Sequence, residues 1–373
     1  IEGHQPDLPG SSDVEEQSVR EQPVREQPVR EQPVGEPPVA RGRARVTTRS
    51  LPAGWRTIAS KEVADNLLSV RFVVLLIIVG LAAASTVYFS SQAISQSSQD
   101  IRSSLNQAFI PPSGFLLMFT VSQDPFPFPF FGLVGFVIPL IGIAFGFDAV
   151  NGERAQGTLP RLVAQPIYRD DVINGKFLGG IAVIALLLAA LTAIVAGIGI
   201  VRLGIIPDPT DIVRLVAWLI VSIVYVGFWL AFSMLCSVVF RRAATSALVS
   251  FGVWLALTLF FGLIASLVGN ILSPAGADAT AQQVVANSQT TEMLSRLSPT
   301  TLYQESTAAL LNPLERTVAG VILPQQADRA IASTISVDQS LLLVWPQVVA
   351  MVALTVVVFA VAYVNFMRQE VRA

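Results

Sequence analysis

Apolar residues along this chain gather into long runs separated by polar segments. Six runs stand out: Phe72–Phe89, Phe130–Phe147, Phe177–Val201, Leu215–Phe240, Ala243–Gly269 and Leu341–Phe366. Each is close to the roughly 20 residues that a helix needs to cross the hydrocarbon of a bilayer. In lipid a helix satisfies its own backbone N–H and C=O groups, so runs of this length predict spanning helices. Ahead of the first run, Trp55, Ile58, Ala59, Val63, Leu67 and Val70 recur at three- and four-residue spacing, with Arg56, Lys61, Glu62, Asp65 and Asn66 between them. That pattern predicts an amphipathic helix over residues 51–71, lying in the membrane interface. Residues 1–50 have neither period. Val19-Arg20-Glu21-Gln22-Pro23 repeats as Val24–Pro28 and Val29–Pro33. A proline in every unit bars a regular helix, and little is left to bury, so this stretch predicts a disordered, low-complexity tail.

Shorter features fill the gaps. Phe115–Val121 is too short to span and predicts an interfacial or loop-buried segment. Phe126, Phe128 and Phe130 alternate with Pro125, Pro127 and Pro129, a stiff aromatic stretch suited to the membrane surface. Between the fifth and sixth runs, Asn270–Ser340 is long for a structureless connection and predicts short helices over Gln282–Leu297 and Thr300–Leu311. Leu310, Leu311, Val318, Val321, Ile322 and Leu323 make it apolar enough to pack on the membrane surface or re-enter it. It could gate an exit or cap the bundle.

Basic residues orient the runs. With the N-terminus inside, Arg56, Lys61, Arg71, Arg154, Arg161, Arg169, Lys176, Arg241, Arg242, Arg368 and Arg372 are cytoplasmic, and the short outer loops carry only Arg102, Arg202 and Arg214. The predicted fold is therefore an all-α membrane protein. It has six transmembrane helices, an N-terminal amphipathic interfacial helix and both termini cytoplasmic. A long outer segment, 270–340, joins helices five and six, and a cytosolic loop, 148–176, joins helices two and three.

Composition sharpens this picture. The chain is 53% hydrophobic and only 13% charged, with mean hydropathy +0.61, where soluble domains carry about 25% charged residues. Of its 50 charged side chains, 21 lie in residues 1–71, so the remaining 302 residues are poorer still. A formal charge of −2 does not suit a nucleic-acid partner. The single cysteine, Cys236, forms no intrachain disulfide or CxxC site, and the single histidine, His4, lies in the polar tail. His-based catalysis and His-ligated metal sites are thereby improbable, and we assign no catalytic residue, no metal site and no cofactor in this chain. Gly175-Lys176 lacks the upstream glycine of a phosphate loop and is followed by Phe177.

No Asp, Glu, Lys, Arg or His interrupts the six runs; Asp148, Lys176, Arg202 and Arg214 flank them. An ionisable group at the bilayer centre costs on the order of 2.5–3.5 kcal/mol on insertion scales and marks proton or ion handling where it occurs. Its absence argues against a proton-coupled carrier or charge-selective channel, so energy for transport must come from outside the spans. The mild polar residues Ser222, Tyr225, Ser233, Ser250 and Thr258, with Ser237 and Gln347, either line a path for an amphiphile or hydrogen-bond between helices. Gly142/Gly146 and Gly175/Gly179 are small-xxx-small pairs that permit close helix approach.

The most informative stretch leaves the membrane at Asp148 and re-enters near Lys176. Leu159, Leu162 and Val163 are spaced for one apolar helix face, and Pro166 would stop that helix. The order Phe145-x-Phe147-Asp148…Gly152-Glu153-Arg154-x-x-Gly157-Thr158-Leu159…Leu162-Val163-x-x-Pro166-Ile167-x-Arg169…Gly175-Lys176-Phe177 resembles the cytosolic loop of ABC-2 type transporter permeases. More loosely, residues 52–373 are similar to that family throughout, whereas the repeat tail has no place in its pattern.

The resemblance implies that 72–373 is a permease domain in the plasma membrane of a prokaryotic cell. Its loop would carry a coupling helix that docks on a separate ABC ATPase. Two ATPase copies, holding ATP and Mg, would work with this chain and a second permease copy or paralogue to export substrate. By motif, Asp148, Glu153, Arg154, Gly157, Thr158, Leu159, Arg161 and Leu162 would form or transmit the ATPase contact. Two alternatives stay open on the residues alone: a secondary transporter or channel working unaided, and a membrane scaffold that transports nothing. The substrate is not written in the sequence.

Overall fold

The computed structural model describes residues 54–105, 114–120, 129–155, 168–204, 206–276, 279–311 and 336–369. The repeat tail, Phe126, Phe128 and residues 156–167 and 312–335 lie outside them. All regular structure among the described residues is helical. Six helices are long and apolar enough to cross a membrane: Phe72–Gln92, Phe130–Ala155, Arg169–Arg202, Pro209–Val239, Ala243–Leu272 and Val337–Arg368. These spans, one to six, fall on the six apolar runs.

Local chemistry sets the breaks. A leading helix, Gly54–Leu67, precedes span one. Ser69 separates the two: its hydroxyl donates to Asn66 O (2.6 Å) and accepts from Phe72 N–H (3.2 Å), capping the new helix. Span three ends at Gly204, whose φ of 65° is the left-handed closure that glycine takes without a Cβ clash. Span four opens at Pro209, in the first-turn position where a missing N–H costs nothing. Span five contains a π turn, Ala256–Phe260, which no periodicity announces.

Span four is the axis of the bundle. Within its apolar window 56% is buried, against 11% for span five. It packs on spans two, three and six. Gly142 and Gly146 lie one turn apart on the face of span two that meets it. A Cβ at Gly142 would stand 3.0 Å from Val226 O, and one at Gly146 would stand 2.9 Å from Leu230 O. Both neighbours are backbone, so the two helices touch main chain to main chain. Span three repeats the device with a different partner. A Cβ at Gly175 would lie 2.7 Å from Ile58 Cβ, and one at Gly179 would lie 2.7 Å from Glu62 Cβ. The leading helix thus lies along a glycine groove on span three. It buries Ile58 there, and it also turns Glu62, a member of its polar stripe, toward protein.

The end of the bundle away from residues 148–176 is closed by aromatic packing and by part of the long segment. Helix Gly114–Thr120 buries Phe115, Leu116 and Phe119. Phe119 meets Phe130 edge-on at 5.3 Å, and Phe130 lies 5.7 Å from Trp218. Phe130 therefore serves the protein interior and not the membrane surface that its proline-rich flank suggests. In the segment between spans five and six, Thr280 caps helix Ala281–Ser295 through a capping box with Gln283. The next helix, Pro299–Leu311, is a wedge: ten of its 13 residues are buried, and it packs on spans two, four and six. It enters the bundle, where the sequence left surface packing and re-entry open.

The glycine contacts give a direct test. Gly146→Ala should destabilise the protein by about 1–3 kcal/mol, because its methyl would overlap Ser233 Oγ, forcing that side chain to move, and would press on Leu230 O at 2.9 Å. Gly252→Ala has nothing within 4 Å of the new atom and should unfold at or slightly above the wild-type temperature, alanine being the better helix former. Thermal unfolding in detergent measures both.

Candidate functional site

Residues 148–176 are anchored from several directions at their base. Span two gives way to a tight turn at Phe147–Val150 and a short helix, Asn151–Ala155. The N–H groups of Val150 and Asn151 would be orphans there. Both donate to Ser237 Oγ near the end of span four, each at 3.1 Å. The Ser237 hydroxyl is thereby committed to a backbone cap and not to a path. Asn151 itself is buried, 1% exposed.

Charged side chains complete the anchorage. Lys176, in the first turns of span three, lies 2.8 Å from Glu153 Oε1 on the short helix and is also paired with Glu62 on the leading helix. Arg154, the neighbour of Glu153, donates to the side-chain carbonyl of Gln369 at the end of span six. Arg169 donates to the Gln369 main-chain oxygen at 3.0 Å, and Gln369 Nε2 donates to Val238 O on span four at 2.8 Å. Spans two, three, four and six and the leading helix are therefore joined around one loop. Of the residues that motif assigns to a contact, Asp148 is half-buried in the turn, and Glu153 and Arg154 stand in the anchorage. Gly157, Thr158, Leu159, Arg161 and Leu162 lie outside the described residues.

The mild polar residues divide into groups. Ser222 Oγ donates to Trp218 O (2.8 Å) and is 3.0 Å from Tyr303 OH on the wedge. Tyr225 OH is 3.4 Å from Gly135 O and 3.2 Å from Thr300 Oγ1, and its ring stacks on Tyr303 at 4.3 Å. Burial pushes the Tyr303 hydroxyl up to about 12, so it stays protonated. Ser233 Oγ is 3.3 Å from Gly142 O, at the close crossing of spans two and four. Ser250 is buried on span five beside the Cys236 thiol. Thr258 sits in the π turn. Ser222 and Tyr225 thus share one hydroxyl cluster with the wedge; Ser233, Ser250 and Thr258 lie elsewhere.

The opposite end carries polar clasps that the apolar runs do not announce. Glu305 of the wedge is 8% exposed. It accepts from Arg296 Nε at 3.1 and 3.0 Å and from Gln347 Nε2 of span six at 3.2 Å. Arg214, buried in span four, donates to Leu310 O (3.1 Å) and Ser340 Oγ (2.9 Å), satisfying a carbonyl in the last turn of the wedge. The runs themselves are free of charge, but the wedge brings a carboxylate onto span six. Glu62, Ser237, Gln369, Glu305 and Ser340 carry no sequence signal of these roles. Lys176 does carry a faint one, because it sits inside the Gly175/Gly179 pair.

Six apolar spans closed at both ends by polar contacts define a multi-span membrane protein with one cross-braced loop. Over residues 56–371 the chain matches the family described as ABC-2 family transporter protein, and it belongs to that family. It is similar to the probable ABC transporter permease protein NosY of Stutzerimonas stutzeri, with 29% identity over 139 residues, covering 35% of this chain and 48% of that protein. A protein of the same description from Pseudomonas aeruginosa is 28% identical over 136 residues, covering 36% of this chain and 42% of its own length. The aligned stretch thus spans about half or less of the length of each curated relative.

Ser237→Ala tests the loop base. It leaves two buried N–H groups without their acceptor, and should cost about 1–3 kcal/mol. Amide exchange at residues 148–155 should quicken before that of span four. Unchanged exchange there would show that the cap holds nothing.

Proposed function

We propose that this chain is the permease subunit of an ATP-driven ABC exporter. Its loop 148–176 faces the cytoplasm and docks on a separate ATPase. Support comes first from the bracing: the loop base is tied to the leading helix through Lys176 and to spans four and six through Ser237 and Gln369. A loop joined rigidly to several spans can turn a shift at its tip into a tilt of those spans, which a merely solvated connector cannot. The family supplies the second support.

In this reading the loop end and both termini face the cytoplasm, supported by the excess of basic residues on that side, the leading helix lies at the membrane interface, and the membrane is the plasma membrane of a prokaryotic cell. ATP and Mg bind the partner. Two ATPase copies serve this chain and a second permease copy or paralogue. Span five, with Leu248, Leu263, Leu267 and Ile271 exposed, offers apolar surface to lipid or to that second copy. Transport requires spans two and four to part at the wedge end. Ser222 and Tyr225 would then line the opening at that end, and Ser233, Ser250 and Thr258 would be reached only further along the pathway toward the loop end. Export of an amphiphile suits such a lining.

Leu159→Asp and Leu162→Asp test the docking. Each puts a carboxylate on the face proposed to enter the ATPase groove, and should weaken the complex by about 2 kcal/mol or more, roughly thirtyfold. Thermal unfolding of the isolated chain should stay within about 3 °C of wild type. Co-purification with the ATPase encoded beside it, and the hydrolysis stimulated by this chain, measure the effect. A wild-type chain that neither binds nor stimulates that ATPase would contradict the proposal.

A further inference from the structure

Lys176 stands where three elements meet. Its side chain is 8% exposed. The ammonium lies 2.8 Å from Glu153 Oε1 on the loop-base helix and is paired with Glu62 on the leading helix. Glu62 is confined in turn, because its Cβ occupies the space beside Gly179, one helical turn beyond Gly175. An ammonium suits this point. It is a compact charge with three donors and can serve two carboxylates arriving from different directions. Burial shields both pairs from salt screening.

The glycine groove and the ion pairs do different work. Backbone-close packing at Gly175 and Gly179 holds the leading helix against span three, yet apolar contact alone would let it slide along the groove. A buried charge placed between two carboxylates sets one register. Glu153 is followed directly by Arg154, which reaches Gln369 at the end of span six. A displacement of the loop base therefore arrives at span six through one residue and at the leading helix through its neighbour.

We infer that Lys176 is a positioning residue: by bridging Glu62 and Glu153 it makes the leading helix part of the transmission, so that leading helix, loop base and the start of span three shift as one body. The inference rests on the reading that the loop docks on an ATPase. Stability alone does not call for the charges here, because a well-packed neutral replacement of a buried ion pair is often no less stable. Removing only the lysine would leave two carboxylates facing each other and could unfold the chain. The informative variant is therefore Glu62→Gln, Glu153→Gln and Lys176→Met together.

The experiment uses the full chain bound to its ATPase in nanodiscs, with and without MgATP. Cys236→Ser removes the native thiol. Spin labels go on Ser60→Cys or Tyr168→Cys, each paired with Thr245→Cys at the start of span five; all three positions are exposed. With the triad intact, MgATP should change both distances together. In the triple variant the Tyr168 distance should still change and the Ser60 distance should not. Stimulated hydrolysis should fall on the order of tenfold, with the unfolding temperature within about 3 °C. If the Ser60 label follows Tyr168 equally in the triple variant, the inference is overturned alone. If the intact chain binds no ATPase, the proposed function falls and the inference with it.

Discussion

Hydrocarbon does not hydrate charge, and this exclusion organises the whole chain. Polar groups that cannot lie in the bilayer are driven to the ends of the spans, and there they hold the helices together. At one end Lys176, Glu153, Arg154 and Gln369 join spans and loop. At the other, Arg214 and the pair Arg296–Glu305 fasten the wedge. Between these clasps the spans meet through glycine, serine and stacked aromatic rings. Side-chain volume there decides how near two backbones come, and hydroxyl groups such as Ser222, Tyr225 and Ser233 hydrogen-bond between helices.

The two ends are built for different tasks. The loop end gathers several elements around Asn151–Ala155 and the start of span three, and its ion pairs link parts distant in sequence. The wedge end fills space: Tyr303 stacks on Tyr225, Glu305 is neutralised by Arg296, and Arg214 closes the last turn of the wedge. One end ties elements together around the loop base, and the other fills the space between spans two, four and six. In the proposed function an exporter driven from one side of the membrane would use that difference, and apolar runs free of charge leave its energy source outside them.

How much of this is legible in the sequence depends on the range of the interaction. A run of some 20 apolar residues is a strong local signal, so the spans can be read to within a few residues at many ends. The glycine pairs at 142/146 and 175/179 announce close approach but not the partner, and the leading helix is an unexpected occupant of the second groove. Pairings such as Lys176 with Glu62, 114 residues apart, leave no local trace, because each residue alone looks like an ordinary polar flank. The wedge is hidden for another reason. Thr300, Glu305, Ser306 and Thr307 read as surface residues, yet all are buried: Tyr225 and Gln347 of spans four and six meet Thr300 and Glu305, and Ser306 donates to Leu302 O of its own helix. Phe130 misleads in the opposite direction, since its proline-rich surroundings suggest a membrane surface while Phe119 and Trp218 enclose it.

The central claim is that the braced loop is where an ATPase acts on this bundle. The structure of the purified complex between this chain and its ATPase, solved by electron cryomicroscopy, tests it most directly. The account predicts that residues 153–165 carry the ATPase contact, with the Glu153–Lys176 and Arg154–Gln369 pairs intact at its base. An ATPase seated elsewhere on the chain, with that loop exposed to solvent, would contradict it.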